Sequence, residues 1–117
     1  MSLHVDKVFL IVNAASHAPL VDWWANAIGR PFDRIPVPSC REWDLTPTVL
    51  FQVIAGADTV GKVDVSLHIA EIDSECQRLR ALGINMPEPE RVPGFDNLHW
   101  TKVRDPEGNV LNLLAGQ

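Results

Sequence analysis

Residues 98–114, Leu-His-Trp-Thr-Lys-Val-Arg-Asp-Pro-Glu-Gly-Asn-Val-Leu-Asn-Leu-Leu, constrain the fold more than any other stretch of the chain. Asp105-Pro106-Glu107-Gly108 separates two strand-like runs. Proline at the second turn position sets φ near −65°, and glycine at the fourth accepts the backbone that re-enters a strand, so the segment reads as a β-hairpin. A hairpin is a local statement, and its weight comes from what precedes it.

The chain repeats itself weakly. Residues 7–12 read as a strand, residues 20–28 as a helix stopped by Gly29, and residues 48–54 as a strand ending in Ala55-Gly56. In the second half, residues 63–69 read as a strand, a helix capped by Asp73 stops at Gly83, and residues 109–114 end in Ala115-Gly116. Seven of the nine prolines gather at residues 31–47 and 87–93, matching places in the two halves. Each half is therefore expected to be β-α-β-β-β, with modules at about 5–57 and 62–116 inside a single domain spanning residues 1–117.

Period-two alternation assigns the faces. Val63, Val65, Leu67 and Ile69 form an apolar side suited to packing under a helix, leaving Asp64, Ser66 and His68 on the other. In the first strand Val8, Leu10 and Val12 oppose Lys7, Phe9 and Ile11. On the helices, Leu20, Trp23 or Trp24, Ala27 and Ile28 make one buried stripe, and Cys76, Leu79 and Leu82 the other. The expected architecture is α+β, with helices on one face of each sheet.

Composition narrows the function. No apolar run reaches the roughly 20 residues of a membrane span, and the first residues lack a basic segment followed by an apolar one, so the reading is cytoplasmic with no membrane partner. A formal charge of −5 with no Lys/Arg cluster argues against nucleic acid. Cys40 and Cys76 form no CxxC pair, and Cys76 falls on a helix's apolar stripe, which makes it a small core residue. No HxxxH, HExxH, GxSxG or Gly-rich phosphate loop occurs.

With Leu50-Phe-Gln-Val53, the helix ending in Arg80-Ala-Leu-Gly83, Trp100 and Arg104-Asp-Pro-Glu-Gly-Asn109, the chain resembles the glyoxalase/bleomycin-resistance/extradiol-dioxygenase superfamily, also called vicinal oxygen chelate proteins, over residues 6–116. The resemblance implies two tandem βαβββ modules, a curved, cavity-enclosing eight-stranded sheet, and a homodimer. It also implies ligands for a divalent metal (Zn, Ni, Mn or Fe) on the first and last strand of each module, which carry over to Lys7, Gln52, Asp64 and Asn112. Where the family has His, Glu, His and Glu, this chain offers an ammonium, two amides and one carboxylate. Amide oxygens are weak donors without carboxylates beside them, and an ammonium repels a cation. A degenerate site with no metal or other cofactor is therefore expected.

Flat apolar walls with a few polar groups suit a planar organic ligand. Phe9, Trp24, Trp43, Phe51 and Trp100 are the candidate walls, and Lys7, Gln52, Asp64, Ser66, His68 and Asn112 the candidate polar floor. Trp23, Phe32 and Phe95 are assigned to core or interface, and His4 and His17 to solvated surface. His68 is the candidate base, although at roughly 3.3 Å per residue Ser66 and Asp64 lie about 6.6 and 13 Å along its strand. Sequestration of a small molecule is one reading. A lyase, isomerase or dioxygenase is the other.

Overall fold

The computed structural model describes residues 3–56 and 62–117. The chain divides into two compact units at the junction of residues 61 and 62. The expected end of the first module at residue 57 lies outside the described residues.

In the first unit β1 (Val8–Ala14) leads into α1 (His17–Ile28), then β2 (Cys40–Thr46) and β3 (Val49–Ala55). The sheet order is β1-β3-β2, with β1 parallel and β2 antiparallel to β3. The second unit runs β4 (Asp64–His68), α2 (Ile72–Ala81), β5 (Glu90–Arg91), β6 (Leu98–Arg104) and β7 (Val110–Gly116), in the order β4-β7-β6-β5. The plan is the same in both. The strand that corresponds to β5 is reduced in the first unit to one bridge between Arg34 and Glu42, so the described residues form sheets of three and four strands. Pro31, Pro36 and Pro38 surround that bridge, and each proline removes a donor a longer ladder would need.

Each helix covers one face of its sheet. Leu20, Val21 and Trp24 of α1 are buried, and Trp24 packs on Phe51 at 4.6 Å between ring centroids, with Trp43 5.7 Å from Phe51. Such pairs add about 0.5–1.5 kcal/mol each to area burial. In α2 Cys76 and Leu79 are the buried pair, while Leu82 lies past the last turn and is exposed. Gly29 (φ 99°) and Gly83 (φ 84°) take the left-handed backbone that closes each helix. The start of α2 is a correction: Glu71 holds the cap position, and Asp73 lies in the first turn, where its charge favours the helix dipole.

The Asp105–Gly108 turn forms as read, with Gly108 N–H donating to Asp105 O at 3.0 Å. Its side chains add more. Asp105, 5% exposed, accepts from the backbone N–H of Glu107 and of Asn109, each at 2.9 Å, and from Asn109 Nδ2 at 2.8 Å. Asn109 Oδ1 in turn accepts from Val63 N–H at 3.1 Å, which ties the turn to the start of β4. Burying a carboxylate is costly unless donors surround it, and these donors offset that cost.

Candidate ligand-binding site

The pairing registers fix which side chains share the face of each sheet that α1 or α2 does not cover. In the first sheet Phe9 lies opposite Leu50, Ile11 opposite Gln52, and Gln52 and Leu50 opposite Glu42 and Asp44. Phe51 pairs with Leu10 and Trp43 and therefore faces the helix. This corrects three expected ligand walls: Trp24 and Phe51, each 1% exposed, and Trp43, fully buried, belong to the aromatic core. Leu50 and Val53 make both faces of β3 look apolar, so alternation alone misplaced Phe51. In the second sheet Trp100 lies opposite Leu114 and falls on the same face as Asp64, Ser66, His68 and Asn112, which sends His99 to the helix side.

The first sheet's open face holds a charged network. Glu42, 5% exposed, accepts from Gln52 Nε2 at 2.6 Å and from one arm of the Arg34 guanidinium, whose other arm reaches Asp44. The Asp44 and Glu42 carboxylates raise the Arg34 pKa and lock in its charge. Beside it, Arg30 bonds Asp33 at 2.8 Å, and that bond, with the Asp44 N–H, holds the Asp33 carboxyl below its usual range. Cys40 shares the face, with its thiol pushed up by burial and then by Glu42, so it stays protonated and is a poor nucleophile. Sequence reasoning missed Arg34, Glu42 and Asp44. Their signal was the alternation of Cys40, Glu42 and Asp44 with Arg41 and Trp43, hidden by flanking prolines.

Lys7 and Phe9 border this network. With Arg34, Glu42, Asp44, Pro47 and Leu50 they line a groove of about 300 Å³. Phe9 is 49% exposed, and among the described residues Lys7 has no hydrogen bond or ion pair.

The second sheet's open face is more internally bonded. Asn112 Nδ2 donates to Asp64 and, at 3.3 Å, to Ser66 Oγ. His68 donates from Nε2 to the Gly116 carbonyl at 2.7 Å, which fixes the tautomer and leaves Nδ1 as the acceptor. Lys102 Nζ lies 5.5 Å over the Trp100 ring. Trp100, Lys102, Glu88 and Glu90 border a smaller groove of about 170 Å³. His17, expected on the solvated surface, instead opens α1 and bonds the Val53 carbonyl at 2.9 Å. Phe95 is half-exposed.

The four positions carried over as metal ligands do not make matched pairs. Gln52 lies opposite Ile11 and Asn112 opposite Ser66, so the residue equivalent to Asp64 is Phe9, and Lys7 falls two residues short, ahead of β1. Among the described residues no three His, Cys, Asp or Glu side chains are grouped to hold an ion. The donor chemistry agrees: Glu42 is held by a guanidinium and an amide, and Asp64 by an amide. These residues do not fit a divalent cation.

A family profile described as a glyoxalase-like domain matches residues 9–114. The chain belongs to that family, within the vicinal oxygen chelate superfamily. Glyoxalase-like solved structures share the fold. A glyoxalase/bleomycin resistance protein from Catenulispora acidiphila DSM 44928 is 14% identical, with TM-score 0.82 over 95% of this chain and 98% of its own. The oxidase ChaP-H1 is 16% identical, with TM-score 0.76 over 99% and 98%. A lactoylglutathione lyase from Agrobacterium tumefaciens is also 16% identical, with TM-score 0.74 over 93% and 92%. No curated protein sequence matches. No helix among the described residues is long and apolar enough to cross a membrane.

Proposed function

We propose that this glyoxalase-like protein binds a small, planar organic molecule without a catalytic metal, as a cytoplasmic homodimer. The observation that carries the reading is the groove beside Phe9, where a half-exposed aromatic ring adjoins a guanidinium already neutralised by two carboxylates. Its volume of about 300 Å³ is at the lower end of what ligand sites use. Of the five aromatic walls expected from sequence, Phe9 and Trp100 remain on open faces, and among the described residues no aromatic ring or cationic group stacks on Phe9.

The test is titration calorimetry of a panel of planar antibiotics and metabolites, with chelator and with added Zn, Mn, Ni or Fe(II). Chelator-resistant stoichiometric binding without turnover is the expected result. Tight binding of one metal per chain, or conversion of a bound compound, overturns it.

The rival reading is a lyase, isomerase or dioxygenase of the same superfamily, favoured by His68, which is exposed and carries a free acceptor at Nδ1. Two structural neighbours carry the names oxidase and lactoylglutathione lyase. His68 as a general base lacks an orienting carboxylate, because Asp64 is bonded by Asn112.

A further inference from the structure

Building on the groove assigned above, we propose that its ligand is an anion: a planar organic acid whose ring lies on Phe9 and whose carboxylate or equivalent group is bound by Lys7. Glu42 receives Gln52 on one oxygen and Arg34 on the other, and Asp44 receives the second arm of Arg34. A cationic ligand would have to compete with Arg34 for these carboxylates. Lys7 differs, because its ammonium carries three donors and none is engaged among the described residues.

Position adds the second step. Lys7, just ahead of β1, and Phe9, the second residue of that strand, are two residues apart and border one groove, so a ring laid on Phe9 brings its substituent to the ammonium. An uncharged ring there returns no acceptor to Lys7. An acid group returns a charge-assisted hydrogen bond. Leu50 and Pro47 supply the apolar floor.

The experiment compares 2-naphthoate, 2-naphthylmethanol and 2-naphthylmethylammonium by calorimetry on the full chain. 2-Naphthoate is expected to bind, to weaken about tenfold or more in Lys7→Met, and to recover most of that loss in Lys7→Arg. Phe9→Ala is expected to weaken it as well. Both side chains are exposed, so the variants keep the fold. Equal or tighter Phe9-dependent binding of the alcohol or the ammonium compound overturns the anion assignment while the planar-ligand reading stands. Unchanged naphthoate affinity in Lys7→Met also overturns the assignment. Binding of none of the three counts against both.

Discussion

In the second sheet Asn112 bonds both Asp64 and Ser66, His68 is tied to Gly116, and Lys102 lies over Trp100. In the first sheet the corresponding face gathers its charge at one edge, on Arg34, Glu42 and Asp44, and leaves Phe9 and Lys7 open beside it. Backbone pairing is nearly the same in the two. Side-chain satisfaction is not, and that difference is why the proposed ligand groove is the one in the first sheet. A repeated fold thus distributes two roles over two copies: one half closes its polar groups on itself, and the other holds a network whose outer border is available.

The largest effect expected from breaking this comparison is at the turns. Asp105→Ala removes the acceptor for two backbone N–H groups and for Asn109, and should lower unfolding free energy by about 3 kcal/mol in urea titrations. A loss as small as a surface substitution would show that the turn does not need its carboxylate.

Next is Arg34→Met, which strands Glu42 among buried neighbours. The midpoint of thermal unfolding should fall by less than for Asp105→Ala, and replacing Glu42 by Leu in the same chain should restore part of it. No recovery would mean that Arg34 acts through packing rather than by neutralising Glu42.

Smaller again is Thr46→Ala, at the first-unit turn that matches Asp105–Gly108. Thr46 Oγ1 accepts from Thr48 and Val49 N–H at 3.3 and 3.1 Å in exposed surroundings, so the expected cost is about 0.5 kcal/mol. A loss equal to that of Asp105→Ala would erase the distinction between the two turns.

The smallest effect is a pH dependence. Asp33 has its pKa lowered by Arg30, so its contribution is present above the unfolded carboxylate pKa and fades as pH falls through the lower folded value. Wild type should therefore exceed Asp33→Asn slightly in stability near neutral pH, and the two should converge in acid. A gap that widens on acidification would contradict the sign. Because the pair is exposed, screening by salt should shrink the difference.

Much of the fold was legible because its signals are local. The Asp105–Gly108 turn, the helix stops at Gly29 and Gly83, and the alternation along β4 each depend on neighbours within a few residues. The site was less legible, because its members meet only through strand pairing. Phe51 and Gln52 are adjacent in sequence, and only the register with β2 sends one into the core and the other to Glu42. Trp24 could not be separated from Trp23 by spacing, since each stands three or four residues from both Leu20 and Ala27. Arg34 was beyond sequence reasoning for another reason: a single bridge among prolines has no period to detect.

The bond from Val63 to Asn109 has a consequence for how the second unit assembles. It joins positions 46 residues apart, and the neighbouring Val110 N–H to Val63 carbonyl bond closes the same loop. Parallel pairing of β4 with β7 cannot begin until the intervening chain, including α2 and β6, is present, so the entropy of that closure falls on one late event. An emerging chain that has passed β4 but not Asn109 holds an unpaired strand with an apolar side. That interval, rather than the finished molecule, is where the second unit is most exposed to mispairing.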